Sequence, residues 1–204
     1  IMPFNEFEGN NSWGYNPNFY FATDKAYGPA TKYKEFIDLC HQNGIAVIMD
    51  MVLNHAFNSN TMARMYWDDV NNRPAANNPW FNLEAPHTCY SWGSDFNHES
   101  KYTQAFVDSV NSYWMSEFKI DGFRLDFTKG FTNGFTNKNL NCGWDQDNER
   151  IAILKRMYDE IRKRNSDAYV IFEHLATDSE EKILAEYGIM LWSNMTGAYT
   201  EGTM

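Results

Sequence analysis

The run Ile45-Ala46-Val47-Ile48-Met49-Asp50-Met51-Val52 constrains the fold of this chain more than any other feature. It is apolar at odd and even positions alike, so as a strand it has no face to offer to water. A strand covered on both faces belongs in a parallel sheet flanked by helices. The neighbouring segments agree with this. Upstream, Tyr33, Phe36, Ile37 and Cys40 recur at helical spacing, which predicts a helix over Thr31–Asn43 with Gly44 as its stop. Downstream, Phe106, Val107, Val110, Trp114 and Phe118 predict a second helix, and Ile120–Phe127 a second strand. A third helix carries Ile151, Leu154, Tyr158 and Ile161, and Tyr169–Phe172 reads as a third strand. Thr177-x-x-Glu180 has the pattern of a capping box opening a short helix, and Ile189–Trp192 follows as a fourth strand. Strands alternating with helices imply βα units.

Three stretches break the alternation. Pro3–Pro17 reads as loop, interrupted by Gly9, Gly14 and several asparagines. Residues 56–97 dissolve into Asn, Pro, aromatics and Asp, too long for an ordinary connection, and predict a functional insertion. Lys129–Asp147 is irregular as well. No repeat or low-complexity segment is visible.

The chain's 204 residues can bury one sizeable core. Its net charge of −10 repels phosphate backbones, which argues against a nucleic-acid partner, and there is no basic run suited to anionic lipid. No apolar stretch reaches the roughly 18 residues of a membrane span. Cys40, Cys89 and Cys142 are odd in number and lack a CxxC spacing, so they suggest neither a zinc site nor a disulfide framework. Aromatic residues make up 17% of the chain; they suit the C–H faces of sugar rings, but core filling explains such a content equally well.

A barrel and a doubly wound open sheet both satisfy the alternation. No glycine-rich fingerprint follows the first strand, as a dinucleotide fold would require. Polar residues stand instead at the C-terminal ends of successive strands: Asp50, Asn54 and His55, then Arg124 and Asp126, then Glu173. Catalytic residues occupy such positions in (β/α)8 barrels. Asp126 and Glu173 suit glycoside chemistry, in which one carboxylate attacks the anomeric carbon and a protonated carboxyl donates to the leaving oxygen. Arg124, two residues before Asp126 and on the same face, is expected to hold Asp126 ionised as a nucleophile. Glu173 follows Val170-Ile171-Phe172, and desolvation by that run is expected to keep it protonated as an acid.

These residues also carry a family resemblance. Asp50-Met51-Val52-Leu53-Asn54-His55 resembles the first signature of the α-amylase superfamily, glycoside hydrolase family 13, at the end of barrel strand three. Gly122-Phe123-Arg124-Leu125-Asp126-Phe127-Thr128-Lys129-Gly130 resembles the second, at strand four, and Phe172-Glu173-His174 the third, at strand five. Met2-Pro3-Phe4-Asn5-Glu6-Phe7 is similar to the segment leaving strand two, and Trp13-Gly14-Tyr15-Asn16-Pro17 to the following loop of branching- and debranching-type members. The resemblance implies a partial (β/α)8 barrel with an inserted domain B after the third strand. Residues 1–55 would run from the end of strand two to strand three, 56–97 would be the domain-B-like insertion, and 98–204 would hold strands four to six. The barrel would be incomplete at both ends, and the family's third carboxylate, near strand seven, has no counterpart. A piece of this kind is expected to lack useful activity alone and to associate through its open edges.

At matching positions the resemblance implies roles. Asp126 would be the nucleophile, Glu173 the acid/base, and Arg124 would orient Asp126. His55 would hydrogen-bond the sugar and Tyr15 would stack beneath it. Lys129 would reach the leaving-group side. Asp50 would border the substrate site as a largely structural group. Many members of the family hold calcium between domain B and the barrel, with the signature asparagine, here Asn54, as one ligand. No organic cofactor is implied. Gly130 stands where many amylases have His, which opens activities besides plain starch hydrolysis. The implied function is a retaining glycoside hydrolase acting on α-glucans such as starch, glycogen or malto-oligosaccharides. The alternatives are a branching enzyme or other transglycosylase, and a catalytically silent sugar-binding member. Polymeric glucans usually meet their enzymes outside the cytoplasm, so an extracytoplasmic location is expected.

Overall fold

The computed structural model describes residues 1–86, 89, 91–132, 144–192 and 196–202, with the side chains of 196–198 excepted. The chain opens with an antiparallel hairpin, β1 (Asn5–Phe7) and β2 (Pro17–Thr23), followed by α1 (Ala30–Gln42) and β3 (Ile48–Met51). An insertion comes next. It holds β4 (His55–Ala56), α2 (Thr61–Met65), β5 (Trp67–Asp68), β6 (Arg73–Pro74) and β7 (Ser94–Asp95). Then come α3 (Lys101–Glu117), β8 (Gly122–Leu125), a 3₁₀ turn (Thr128–Gly130), α4 (Asn148–Arg164), β9 (Tyr169–Phe172), α5 (Asp178–Glu186), β10 (Met190–Leu191) and α6 (Thr196–Gly202).

Four strands form one parallel sheet in the order β10-β9-β8-β3. Ile1 extends it by one residue: its amino group donates to the Ile48 carbonyl, and the Asp50 N–H donates to its carbonyl at 2.9 Å. Beside the sheet, α4 packs against both α3 and α5, and α5 also packs against β10. Trp114 of α3 is fully buried, stands edge-on to Phe4 at 5.1 Å, and donates its indole N–H to the Tyr20 carbonyl at 2.8 Å. The small antiparallel pairs β4/β7 and β5/β6 lie in the insertion, where Phe81 stacks on Phe96 at 4.4 Å.

The predicted helices and parallel strands all form, with shifted ends. The apolar run from Ile45 is strand only from Ile48, because the chain is still emerging from the turn and Ile45 is 56% exposed. The second strand is Gly122–Leu125, shorter than Ile120–Phe127, because Phe127 takes a left-handed conformation. The Pro3–Pro17 loop is in part a strand: Asn5–Phe7 pairs with β2, and Phe4 and Phe7 are buried. Its irregular register hides the period-two pattern. Gly44 stops α1 as expected, at φ +70° with its N–H on the His41 carbonyl. Only half of the capping box forms. Thr177 Oγ1 accepts the Glu180 N–H, but the Glu180 carboxylate turns inward to Arg150. Cys89 is disulfide-bonded, a pairing the odd cysteine count did not suggest; Cys40 is free and half-buried, and Cys142 lies outside the described residues.

At Gly122 the backbone of β9 leaves no room for a side chain on β8. A Cβ placed there would lie 2.1 Å from the Tyr169 carbonyl oxygen, which is backbone and cannot rotate away. Gly122→Ala is therefore expected to destabilise the whole protein by about 3 kcal/mol, at the upper end of overpacking costs. Chemical denaturation would measure this, and a loss under about 0.5 kcal/mol, the range of ordinary surface changes, would show that the strands part freely.

Candidate active site

The parallel register sets the site. Asp50 on β3 is the neighbour of Arg124 on β8, and Arg124 is the neighbour of Ile171 on β9. Asp126 follows Arg124 by two, and Glu173 leaves the end of β9. The three carboxylates converge on one guanidinium. Arg124 Nη1 donates to Asp50 Oδ1 at 2.7 Å and to Asp126 Oδ1 at 2.8 Å, and Nη2 lies 3.1 Å from Glu173 Oε2. Trp192 at the end of β10 lays its ring against the same guanidinium, 4.7 Å from the carbon. Tyr15 donates its hydroxyl to Asp50 Oδ2 at 2.7 Å, so Asp50 buttresses both Tyr15 and Arg124.

Burial dominates the electrostatics. It raises the Asp126 carboxyl to about 7, although Arg124 pulls it down; the nearby Glu173 adds to the rise. Arg124 acts in the direction expected of it, favouring the ionised Asp126, but desolvation outweighs the cation. Burial also opposes the charge on Arg124, but bonding to Asp50 and the fields of the three carboxylates lift it above its ordinary value. The Tyr15 hydroxyl is pushed up by burial and by its bond to Asp50. Burial lowers His55 to about 4, so its ring is neutral at physiological pH. His55 Nε2 is 3.0 Å from the Tyr15 carbonyl, which fixes Tyr15 from its backbone side.

Glu173 is not wrapped in the apolar run that precedes it. Phe172 points into the core and is fully buried, whereas the Glu173 side chain is 29% exposed. Its Oε2 accepts the Phe127 N–H at 3.0 Å. Phe127 has φ +47° and Leu175 has φ +53°, conformations rare for side chains of this size. Strain of this kind costs on the order of 1–3 kcal/mol and collects at functional sites. Here it turns the chain sharply after Asp126 and aims an N–H at Glu173.

Above these groups lies a cleft of about 380 Å³, lined by Trp13, Tyr15, His55, Phe57, Trp92, Arg124, Asp126 and Glu173. Trp92 is 47% exposed, with its ring edge-on to Phe127 at 5.2 Å and tilted to His55 at 5.9 Å. Sequence reasoning assigned no role to Phe57 or Trp92. The only hint was the aromatic richness of the insertion, which core packing explains as readily.

Residues 2–99 match the family described as the α-amylase catalytic domain. The chain is a member of the α-amylase family. Its relatives include a 1,4-alpha-glucan branching enzyme of Oceanobacillus iheyensis, 36% identical over 62% of this chain and 19% of that protein. They also include a malto-oligosyltrehalose trehalohydrolase of Saccharolobus solfataricus, 31% identical over 62% of this chain and 20% of that protein. Among solved structures, Eubacterium rectale Amy13B superposes with a TM-score of 0.71 at 23% identity, over 92% of this chain and 38% of that one. The chain thus spans about a fifth of the length of these curated relatives. The parallel sheet with its intervening helices is part of the family's (β/α)8 barrel.

Two more residues that the α-amylase resemblance singled out border the carboxylate cluster. Lys129 is 4% exposed in the turn after Asp126, with its ammonium 3.8 Å from the centre of the Trp144 ring; burial lowers its pKa. Asn54, the position of a calcium ligand in many α-amylases, has its side-chain amide between two neighbours. Its Oδ1 is 2.5 Å from His55 Nδ1, and its Nδ2 is 3.3 Å from Asp126 Oδ2. No group of three His, Cys, Asp or Glu side chains suited to a metal forms among the described residues. The Asn54 Oδ1, the atom that would ligate a calcium, is engaged by His55, and the chemistry proposed for this site uses the chain's own side chains.

Proposed function

We propose that the whole protein is a retaining enzyme acting on α-glucans, with Asp126 as nucleophile, Glu173 as acid/base and Arg124 as the group that fixes their relation. The carrying observation is the shared guanidinium. It places a carboxylate oxygen of each residue one guanidinium apart, which favours the separation of roughly 5–5.5 Å used for retention over the 6.5–9.5 Å of inverting enzymes. In the first step Glu173 gives its proton to the glycosidic oxygen while ionised Asp126 bonds to the anomeric carbon, and the leaving glucan departs as an alcohol. In the second step Glu173 takes a proton from the incoming hydroxyl, whose oxygen displaces Asp126. Tyr15, His55 and Trp92 line the cleft in which the sugar would lie. Trapping with a 5-fluoro-α-glucosyl fluoride tests the reading: the expected product is a peptide adduct on Asp126, seen by mass spectrometry. An adduct elsewhere, or none, would remove Asp126 from the role.

The leading version is hydrolysis, with water as acceptor. Transglycosylation is the second reading, supported by the 36% identity to a protein named as a branching enzyme. Hydrolysis raises reducing ends, whereas transfer to a sugar hydroxyl leaves their total nearly unchanged. An extracytoplasmic setting is proposed as well, supported by the disulfide at Cys89, since such bonds persist in oxidising compartments.

A further inference from the structure

We propose that Thr128, His174 and Glu180 form a positioning unit for Glu173, behind it and away from the cleft; this rests on the reading of Glu173 as acid/base. The turn after Asp126 grips residue 173 at both ends. The Phe127 N–H holds the carboxylate Oε2 at 3.0 Å, and Thr128 holds the main-chain carbonyl with its N–H at 2.9 Å and its Oγ1 at 3.1 Å. The first contact sets where the carboxylate lies, and the second sets the backbone from which it projects.

That turn is braced from below. Thr128 Oγ1 lies 3.0 Å from His174 Nδ1, and His174 Nε2 lies 2.9 Å from Glu180 Oε1. Glu180 is held by Arg150 Nε and Nη2, each at 2.7 Å, and Arg150 Nη1 returns to the Lys129 carbonyl at 2.9 Å. Thr128, His174 and Glu180 are fully buried, and Arg150 is 1% exposed. The circuit closes on the turn from which it started. The threonine hydroxyl is its junction, touching both the Glu173 carbonyl and the imidazole. A polar circuit this deep is costly to desolvate, and an apolar cluster would hold α5 against the sheet without it. What the circuit adds is a fixed orientation for the turn, and so for the acid.

Thr128→Val keeps the shape and removes the hydroxyl. In the whole protein, kcat/KM on malto-oligosaccharide is expected to fall about tenfold, the scale of a sub-ångström misplacement. On an α-maltotriosyl fluoride, whose leaving group needs no proton, the loss should stay within about twofold, because the first step then bypasses the acid. Thr128→Ser should restore the malto-oligosaccharide rate. His174→Gln is the second variant and should show the same selectivity between substrates. Equal losses on both substrates, or no loss on either, would overturn the proposal. Glu173→Gln is the reference. If it shows no selective loss, the reading of Glu173 has failed; if it does and Thr128→Val does not, only the positioning role has failed.

Discussion

Asp126→Asn in the whole protein is expected to lower kcat/KM on both malto-oligosaccharide and maltotriosyl fluoride by on the order of 10⁴-fold or more, because no glycosyl-enzyme can form. Glu173→Gln should lose about 10²- to 10⁴-fold on malto-oligosaccharide and far less on the fluoride. Both variants keep similar volume and hydrogen-bonding capacity, so melting temperature should change little. The pH profile follows from Asp126. Burial raises it to about 7, and it must be ionised to attack, so kcat/KM should fall tenfold per pH unit as pH drops below about 7. An acid limb near 4 would mean that the carboxyl is solvated in the free enzyme. Equal losses on the two substrates for Glu173→Gln would remove it as the proton donor.

The largest stability effect is expected at Glu180. Its carboxylate takes two bonds from Arg150, one contact from His174 and the Asp147 N–H at 2.8 Å, all under the surface. Glu180→Leu leaves the Arg150 guanidinium buried and facing a hydrocarbon. Breaking one side of a buried pair costs about 3–5 kcal/mol, a large part of an ordinary domain's stability. Urea denaturation would measure it, with Glu35→Gln on the exposed Lys32 pair as a control expected to change less than about 1 kcal/mol. Burial pushes Glu180 up, but its bonds to Arg150 and His174 prevail and bring it to about 2. The folded value is thus below the unfolded one of roughly 4.3, so the contribution is complete above that pH and is lost as pH falls toward 2. The gap between parent and variant should narrow over that window. A gap under about 1 kcal/mol at neutral pH would mean that water or repacking compensates Arg150.

The sequence revealed the scaffold better than the second layer of the site. Helix and strand periodicity reflects burial, and burial is what Ile37, Trp114, Leu154 and Val170 provide. Strand ends were legible because a charged residue after an apolar run marks where the chain leaves the sheet, and this located Asp126 and Glu173. The β1 hairpin strand was hidden by its irregular pairing, which breaks the alternation that strand recognition needs. Glu180 was misread because a capping glutamate and a buried one look alike within a four-residue window. Only Arg150, thirty residues away in sequence and 2.7 Å away in space, tells them apart. The balance at Asp126 was equally out of reach, since sequence shows the cation two residues away but not the desolvation that outweighs it.

Arg124 joins Asp126 and Glu173 through two nitrogens of one resonance-stiffened plane, while Trp192 lies on its face. The spacing of the two carboxylates is thus referred to covalent bond lengths more than to torsions on separate strands. Thermal breathing of β8 against β9 would move both carboxylates together with their shared plate, so their separation should be one of the least temperature-sensitive distances in the molecule. A lysine would supply the charge but not the plate, and each carboxylate would then follow its own strand.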